Sequence, residues 1–305
     1  MSVISAAAYH SGKYLAEEDL LPEYQACPWC GFSGARERAI WLQRDPDVAL
    51  LECPKCHAFS ASRAATDSAL AAYYGSYYSS SVSSDKHRVT CGNPQRHARH
   101  ILRYARSAAP TVSLLDFGGG DGSIGNAVAM LLARPTSIVV VDYNDQLATP
   151  GSPQITLSHV AALEDVQGAF DLVFASAVLE HLPEPAETTR HLLRALKPGG
   201  FFYARTPCVV PVMKVSNRLN LSYDFTFPAH FHDLGQKFWD NLIATLDMDA
   251  HEWRVVASRP SVVETSFSEN VVRTAVSYAI KAPWWIFRGA YTFTGGWEVF
   301  VERRQ

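Results

Sequence analysis

From residue 112 to the C-terminus, short runs of β-branched and aromatic residues alternate with stretches whose apolar positions recur every three or four residues. The runs fall at 112–117, 137–142, 155–159, 170–175, 200–206, 253–258 and 296–302, each of strand length and bounded by turn-forming or polar residues. Helices are predicted between most of them, including 236–246, and one more over 95–107 ahead of the first run. Strands and helices in alternation predict a three-layer α/β sandwich around a seven-stranded, mostly parallel sheet. No internal repeat interrupts the pattern.

The first 66 residues lack this alternation. They carry instead Cys27-Pro-Trp-Cys30-Gly and Cys53-Pro-Lys-Cys56-His, two C-x2-C pairs separated by residues 31–52. That is the spacing of two opposed knuckles offering four thiolates to a tetrahedral zinc ion, a small zinc ribbon. With four sulfur ligands no open position remains, so the metal is expected to be structural. Unligated or disulfide-bonded cysteines, or a redox pair, are the alternatives, and His57 is a substitute ligand. The organisation expected is an arm and ribbon over 1–66, then a Tyr-rich helical lid and connector over 67–110. A main domain over 111–305 follows, with insertions at 207–235 and 260–294. The serines of 79–84 read as a mobile connector.

The most informative stretch is Leu114-Leu-Asp-Phe-Gly-Gly-Gly-Asp-Gly122: an apolar strand, a glycine turn, then a helix, with a second strand ending on Asp142. Glycines at such a turn let a ligand lie against bare backbone, and an acid after the next strand can grip a ribose. Read as Gly120-x-Gly122-x-x-Gly125, the turn is a dinucleotide fingerprint for a pyrophosphate. Read as Asp116-x-Gly118-x-Gly120-x-Gly122, it places a carboxylate where a pyrophosphate is repelled and an ammonium or sulfonium is attracted.

Three further segments follow in order: Ile138–Asp142, Phe170-Asp-Leu-Val-Phe-Ala-Ser-Ala-Val-Leu-Glu-His-Leu-Pro-Glu-Pro185, and Leu196-Lys-Pro-Gly-Gly-Phe-Phe202. With the glycine turn, they resemble the ordered motifs of class I S-adenosylmethionine-dependent methyltransferases, over roughly residues 95–305. The resemblance implies a Rossmann-like sandwich whose last strand, Gly295–Arg303, runs antiparallel. It also implies S-adenosylmethionine as cofactor, with Asp116, Gly118 and Gly120 against its methionine portion and Gly122 turning the chain into the helix. Asp142 would take the ribose hydroxyls, Tyr143 would pack near the adenine, and Ser176 and Tyr77 would complete the contacts. An acid commonly found after the third strand is missing from Leu157-Ser-His-Val-Ala161, which leaves backbone or His159 for the adenine amino group. The ribbon followed by Ala71-Ala-Tyr-Tyr-Gly-Ser-Tyr-Tyr78 further resembles bacterial methyltransferases acting on sugars, glycans or other small metabolites. There Tyr73, Tyr74, Tyr77 and Tyr78 would be candidates for a lid.

A sulfonium methyl is already activated, so the protein must chiefly align the reactants and exclude water. A base is needed only for a weakly acidic acceptor. Candidates are His181 after the fourth strand, and His230 and His232 in Phe227-Pro-Ala-His-Phe-His-Asp233. The same His-Phe-His-Asp segment can instead hold a divalent metal, and Asp233 reads as a local cap for the helix at 236.

Composition narrows the partners. Lys and Arg number 27 against 30 Asp and Glu, a net charge of -3, which offers nucleic acid no global positive field. RNA methylation is therefore the weaker reading, alongside a catalytically idle binding protein. Arg96, His97, Arg99, His100, Arg103 and Arg106 still form a local basic run, read first as a solvated helix face. Cys91 and Cys208 lack evident partners, no leader or spanning apolar run is seen, and a reducing cytoplasm is the expected location. Residues 270–293, rich in Trp and Phe, read as core packing first. A cap over an apolar acceptor, a homodimer surface and an interfacial membrane contact are the alternatives.

Overall fold

The computed structural model describes residues 3–5, 11–79, 88–221, 223–263, 265–268 and 270–305. In chain order these form β1 (Val3–Ser5), β2 (Glu37–Gln43), β3 (Val48–Glu52), β4 (Phe59–Ala61), α1 (Asp67–Ser79), β5 (Arg88–Thr90) and α2 (Pro94–Ile101). Next come β6 (Val112–Phe117), α3 (Ser123–Leu132), β7 (Thr136–Val141), β8 (Ile155–Val160), β9 (Phe170–Ser176), α4 (Pro185–Arg194) and β10 (Leu196–Cys208). The chain closes with α5 (Val210–Arg218), β11 (His232–Asp233), α6 (Gln236–Asp240), α7 (Leu242–Thr245), β12 (Trp253–Pro260), α8 (Val271–Lys281), α9 (Trp284–Phe287) and β13 (Gly295–Arg303). Beyond Ser79, the expected serine connector lies outside the described residues.

All seven predicted strands are present, in the order β12-β13-β10-β9-β6-β7-β8. Strands β6 to β10 pair in parallel, and β13 lies antiparallel between β10 and β12. Successive residues of a strand face opposite sides, and the core divides accordingly. Leu114, Leu172 and Phe174 pack with Ala98 and Ile101 of α2 and Val128 of α3. Their neighbours Leu115, Val173 and Ala175 pack with Leu192 and Leu193 of α4 and Phe238 and Trp239 of α6. The chain leaves β6 toward β7 and β8, then returns to β9 on the other side of β6. That reversal opens a crevice at the carboxyl ends of β6 and β9.

Two helices are shorter than expected. After Ile101, Arg103 and Tyr104 donate to His100 and Ile101 carbonyls three residues back, which tightens the chain and ends α2. The stretch 236–246 breaks at Asn241, whose side-chain amide donates to the Lys237 carbonyl, leaving α6 and α7. Asp233 does not cap α6. It sits in β11, and its carboxylate accepts from the Val209 N–H at the start of α5.

The ribbon is not a satellite. Its sheet has the order β11-β4-β3-β2, so its fourth strand comes from the segment between β10 and β12: His232 pairs with Ser60 and Asp233 with Phe59. Trp29, from the first knuckle, is 0% exposed and meets Phe238 edge-on at 4.6 Å and His232 at 5.6 Å. The knuckle cysteines and the main-domain aromatics thus share one core. Trp29→Ala should lower stability by about 3–5 kcal/mol, and ribbon and main domain should melt together. Chemical denaturation followed by circular dichroism and by fluorescence checks both points, and two separated transitions would contradict the shared core.

Candidate functional site

The glycine turn after β6 requires its glycines. Gly118, Gly120 and Gly122 have φ of 65°, 57° and 73°, in the left-handed region where side chains are strained. A Cβ on Gly118 would stand 2.5 Å from Val178 Cγ2, and one on Gly122 2.8 Å from Val140 Cγ2. Gly122 is the N-cap residue of α3. A ligand at this turn therefore meets peptide groups rather than side chains.

Two acids bracket the turn. Asp116 is 1% exposed, accepts from the Gly125 N–H at 3.3 Å, and sits against Gly119, whose added Cβ would be 2.6 Å from the carboxyl carbon. Burial pushes its pKa up to about 7, with the charges of Asp142 and Asp121 adding to the rise. Asp142, just past β7, accepts from Gly120 N–H at 2.8 Å and Asn144 N–H at 2.9 Å. Burial raises its pKa too, against those N–H donors and His159. Two buried acids thus face one turn, and His159 is the cationic group that acts on Asp142.

The other predicted cofactor contacts are scattered by their surroundings. His159 donates from Nε2 to the Asp142 carbonyl at 2.7 Å, so it braces the backbone at Asp142. Tyr143 is 98% exposed beside it. Ser176 ends β9 and accepts from Arg205 Nε at 2.7 Å; Ala177 then takes a φ of 59°, which ends the strand. The side chains of Tyr77 and Tyr78 lie outside the described residues.

On the neighbouring wall, His181 and His230 come together with ring centroids 4.8 Å apart. A ring nitrogen of each and a carboxylate oxygen of Glu180 lie within 4.8 Å of one another. His181 Nδ1 is 2.7 Å from the Ala229 carbonyl, which can only accept, so Nδ1 carries the hydrogen and Nε2 is the basic nitrogen. The Thr226 hydroxyl donates to the Phe225 carbonyl and therefore accepts from His230 Nδ1 at 2.7 Å, giving His230 the same tautomer. Tyr74 of α1 reaches His181 at 3.3 Å, whereas Tyr73 is buried with its hydroxyl on the Ser11 carbonyl. Of the two tyrosines of this helix whose side chains are described, Tyr74 is the one at this wall. Glu180, 1% exposed, was not singled out in the sequence; its place beside His181 in Glu-His was the available signal.

His232 departs from the expectation of a base. It is 0% exposed, with Nδ1 at 2.9 Å from Ser60 Oγ and Nε2 at 2.8 Å from the Leu182 carbonyl. Both nitrogens face protein, and burial drives its pKa down to about 4. It braces β11 against β4.

The four ribbon cysteines converge. Cys27 and Cys56 sulfurs are 3.6 Å apart, as are those of Cys30 and Cys53, and all four lie within 4.8 Å. A disulfide needs ~2.05 Å; four sulfurs tetrahedral about zinc at ~2.3 Å stand roughly 3.8 Å apart. The knuckles repeat one backbone design: Gly31 N–H donates to Cys27 carbonyl and His57 N–H to Cys53 carbonyl, each at 2.9 Å. Gly31 and His57 both have left-handed φ, 67° and 60°. His57 fills the position glycine holds in the first knuckle, and its Nδ1 lies 3.8 Å from Glu52, so it is a turn residue and not a ligand.

A family model described as a methyltransferase domain matches residues 90–256, more than half of the chain. A ubiquinone biosynthesis O-methyltransferase of Xanthomonas campestris pv. campestris is 33% identical over 126 residues, 37% of this chain and 53% of that protein. The mitochondrial protein of the same name from Saccharomyces cerevisiae is 30% identical over 118 residues, 35% of this chain and 37% of that one. The chain thus spans about half or less of these two curated relatives' length. Among solved structures, the plantazolicin methyltransferase BpumL in complex with SAH aligns with 10% identity and a TM-score of 0.43, covering 70% of this chain and 83% of that one.

The buried state of Asp116 gives a signed pH dependence. Its carboxyl titrates near 3.8 in the ordinary case and at about 7 in the fold, so between those values the folded chain holds the extra proton. Its contribution to stability is then greatest below about pH 4 and falls as pH rises to about 7. The stability of Asp116→Asn relative to the parent should therefore grow by about 4 kcal/mol from about pH 4 to pH 8. Urea denaturation at the two pH values measures it, and a constant difference would contradict the raised pKa.

Proposed function

From the premise that this chain belongs to the methyltransferase-domain family, we propose that it transfers a methyl group from S-adenosylmethionine to a small-molecule, sugar or glycan-linked acceptor. A zinc ion in the N-terminal ribbon has a structural role. The observation that carries this reading is the pair of acids around the positive-φ glycine turn. Asp116 and Asp142 are both held above the usual carboxylate range by burial, and Asp142 raises Asp116 further. Such a site favours a cationic ligand and disfavours a pyrophosphate. When bound, S-adenosylmethionine supplies the activated methyl.

Gly118, Gly120 and Gly122 offer it backbone, Asp116 acts from beneath the turn, and Asp142 holds the ribose hydroxyls. Tyr143, Ser176 and Tyr77 complete the contacts. Across the crevice, His181 and His230 face the acceptor with Nε2 as the basic atom, and either can draw the proton from a hydroxyl as it is methylated. Tyr74 and Glu180 hold that pair in place. His232 keeps a positioning role only. The division at 1–66, 67–110 and 111–305 remains the organisational reading, with β11 as the strand that crosses it. The cysteines complete it: Cys27, Cys30, Cys53 and Cys56 serve zinc only as thiolates, which fits a reducing, cytoplasmic setting.

Titration calorimetry of the purified chain should give S-adenosylmethionine binding and none for NAD+. Tight binding of the nicotinamide nucleotide alone would overturn the proposal. Asp142→Ala should weaken the cofactor at least about tenfold, roughly 1.4 kcal/mol. By contrast, His181→Gln and His230→Gln should keep cofactor affinity and lose turnover, read as S-adenosylhomocysteine release over a panel of hydroxylated and glycosidic acceptors. Normal turnover in both variants would remove the histidines from the chemistry.

Elemental analysis should find one zinc per chain, and Cys53→Ser should lose it. Because β4 pairs with β11, that loss should also raise amide exchange across residues 229–233. Unchanged protection there would show the ribbon to be uncoupled from the histidine wall.

A further inference from the structure

The aromatic insertion between β12 and β13 is not core. Among the described residues of α8, Thr274 alone is buried, while Val271, Val272 and Val276 are 62%, 73% and 50% exposed. In α9, Trp284 anchors the turn at 4% exposure, and Trp285, Ile286 and Phe287 stand 52%, 77% and 60% exposed. A helix this apolar gains little from the protein beneath it. Contiguous exposed apolar surface of this kind marks a site of contact.

The charge carried by the insertion itself is positive, with Glu264 and Glu269 preceding it in the sequence. Residues 270–293 contain Arg273, Lys281 and Arg288 and no carboxylate. Arg288 lies over the rings of Trp284 and Trp285 at 5.1 and 6.0 Å, and Arg259 stands 4.6 Å over Trp285. The basic helix α2 adjoins the same face: Arg96 donates to the Thr265 carbonyl at 2.6 Å and to the Tyr278 hydroxyl. Exposed Arg99, Arg103 and Arg106 extend the cationic surface, and residues 88–115 carry no acid. In a chain with net charge -3, this is a local excess of cations, with Arg259 paired to buried Glu298 at 3.6 Å. Among the described residues no helix is long and apolar enough to cross a membrane.

We propose that the α8–α9 face docks on an anionic phospholipid surface, with Trp285, Ile286 and Phe287 entering the interface and Arg273, Arg288 and the α2 arginines meeting the headgroups. Charge complementarity selects this occupant. A purely apolar partner gives the arginines no counterpart, and a second copy of the same face would set cation against cation. The docking needs no assumption about methyl transfer. It has a consequence for it, since Gly295 pairs with Cys208 at the carboxyl end of β10: the insertion leaves the sheet at the edge where the crevice opens. An acceptor carried on a lipid would be presented beside that opening.

The test is co-sedimentation of the full chain with vesicles of phosphatidylcholine alone or with about 30% phosphatidylglycerol. Binding should be at least about tenfold stronger to the anionic vesicles and should fall at high salt. W285S/I286S/F287S should abolish it, and Arg273→Glu with Arg288→Glu should remove the anionic preference. These side chains are exposed, so both variants should keep the parent's thermal midpoint and S-adenosylmethionine affinity. No binding to either vesicle, or equal binding to both, overturns the proposal. So does analytical ultracentrifugation showing a dimer that W285S/I286S/F287S dissolves.

Discussion

Two residue pairs, His232 with Ser60 and Asp233 with Phe59, tie the four-stranded ribbon sheet to the segment that follows β10 of the seven-stranded sheet. Through them the histidine-bearing segment after β10 becomes the fourth strand of the ribbon. Phe231 lies between the two sides, donating its N–H to the Glu180 carbonyl at 2.7 Å and accepting from Ala61 N–H at 2.8 Å. The wall that carries Glu180, His181 and His230 is therefore held from both the main sheet and the ribbon. Trp29 fills the space between them, where an aromatic contributes far more by burial than by any single contact.

The glycine turn obeys a different constraint. Its backbone can take its shape only without side chains, and the acids around it are tolerated because peptide N–H groups point at them. Asp142 is served by Gly120 and Asn144 and Asp116 by Gly125. Backbone donors lower the cost of buried charge without neutralising it. What is left is a pair of acids at the carboxyl ends of β6 and β7 whose charged forms burial disfavours and a bound cation would favour.

Much of this was legible in the chain. The central strands β6, β7 and β9 are mostly apolar runs because both faces are covered, and the edge strands β8 and β12, half exposed, were still placed by their β-branched residues. Paired C-x2-C knuckles were equally readable, since the metal spacing constrains the sequence directly. Long-range contacts were not. A two-residue strand such as β11 has no pattern of its own, so nothing in His-Phe-His distinguished His230, which meets His181, from His232, which is sealed under β4. Asp233 looked like a cap for the helix that follows it and instead serves the start of α5. The aromatic richness of 270–293 was visible, but composition alone does not tell a buried helix from one that faces outward; only the neighbours decide.

The ribbon's completing strand also sets an order of events. Ser60 and His232 are 172 residues apart, so during synthesis from the N-terminus β4 stays an open edge until most of the main domain has emerged. Unpaired edges are sites of wrong pairing, and contacts this distant form late. A nascent chain that has its knuckles but not yet its histidine segment thus carries an open β4 edge, and the arrival of β11 is what seals it.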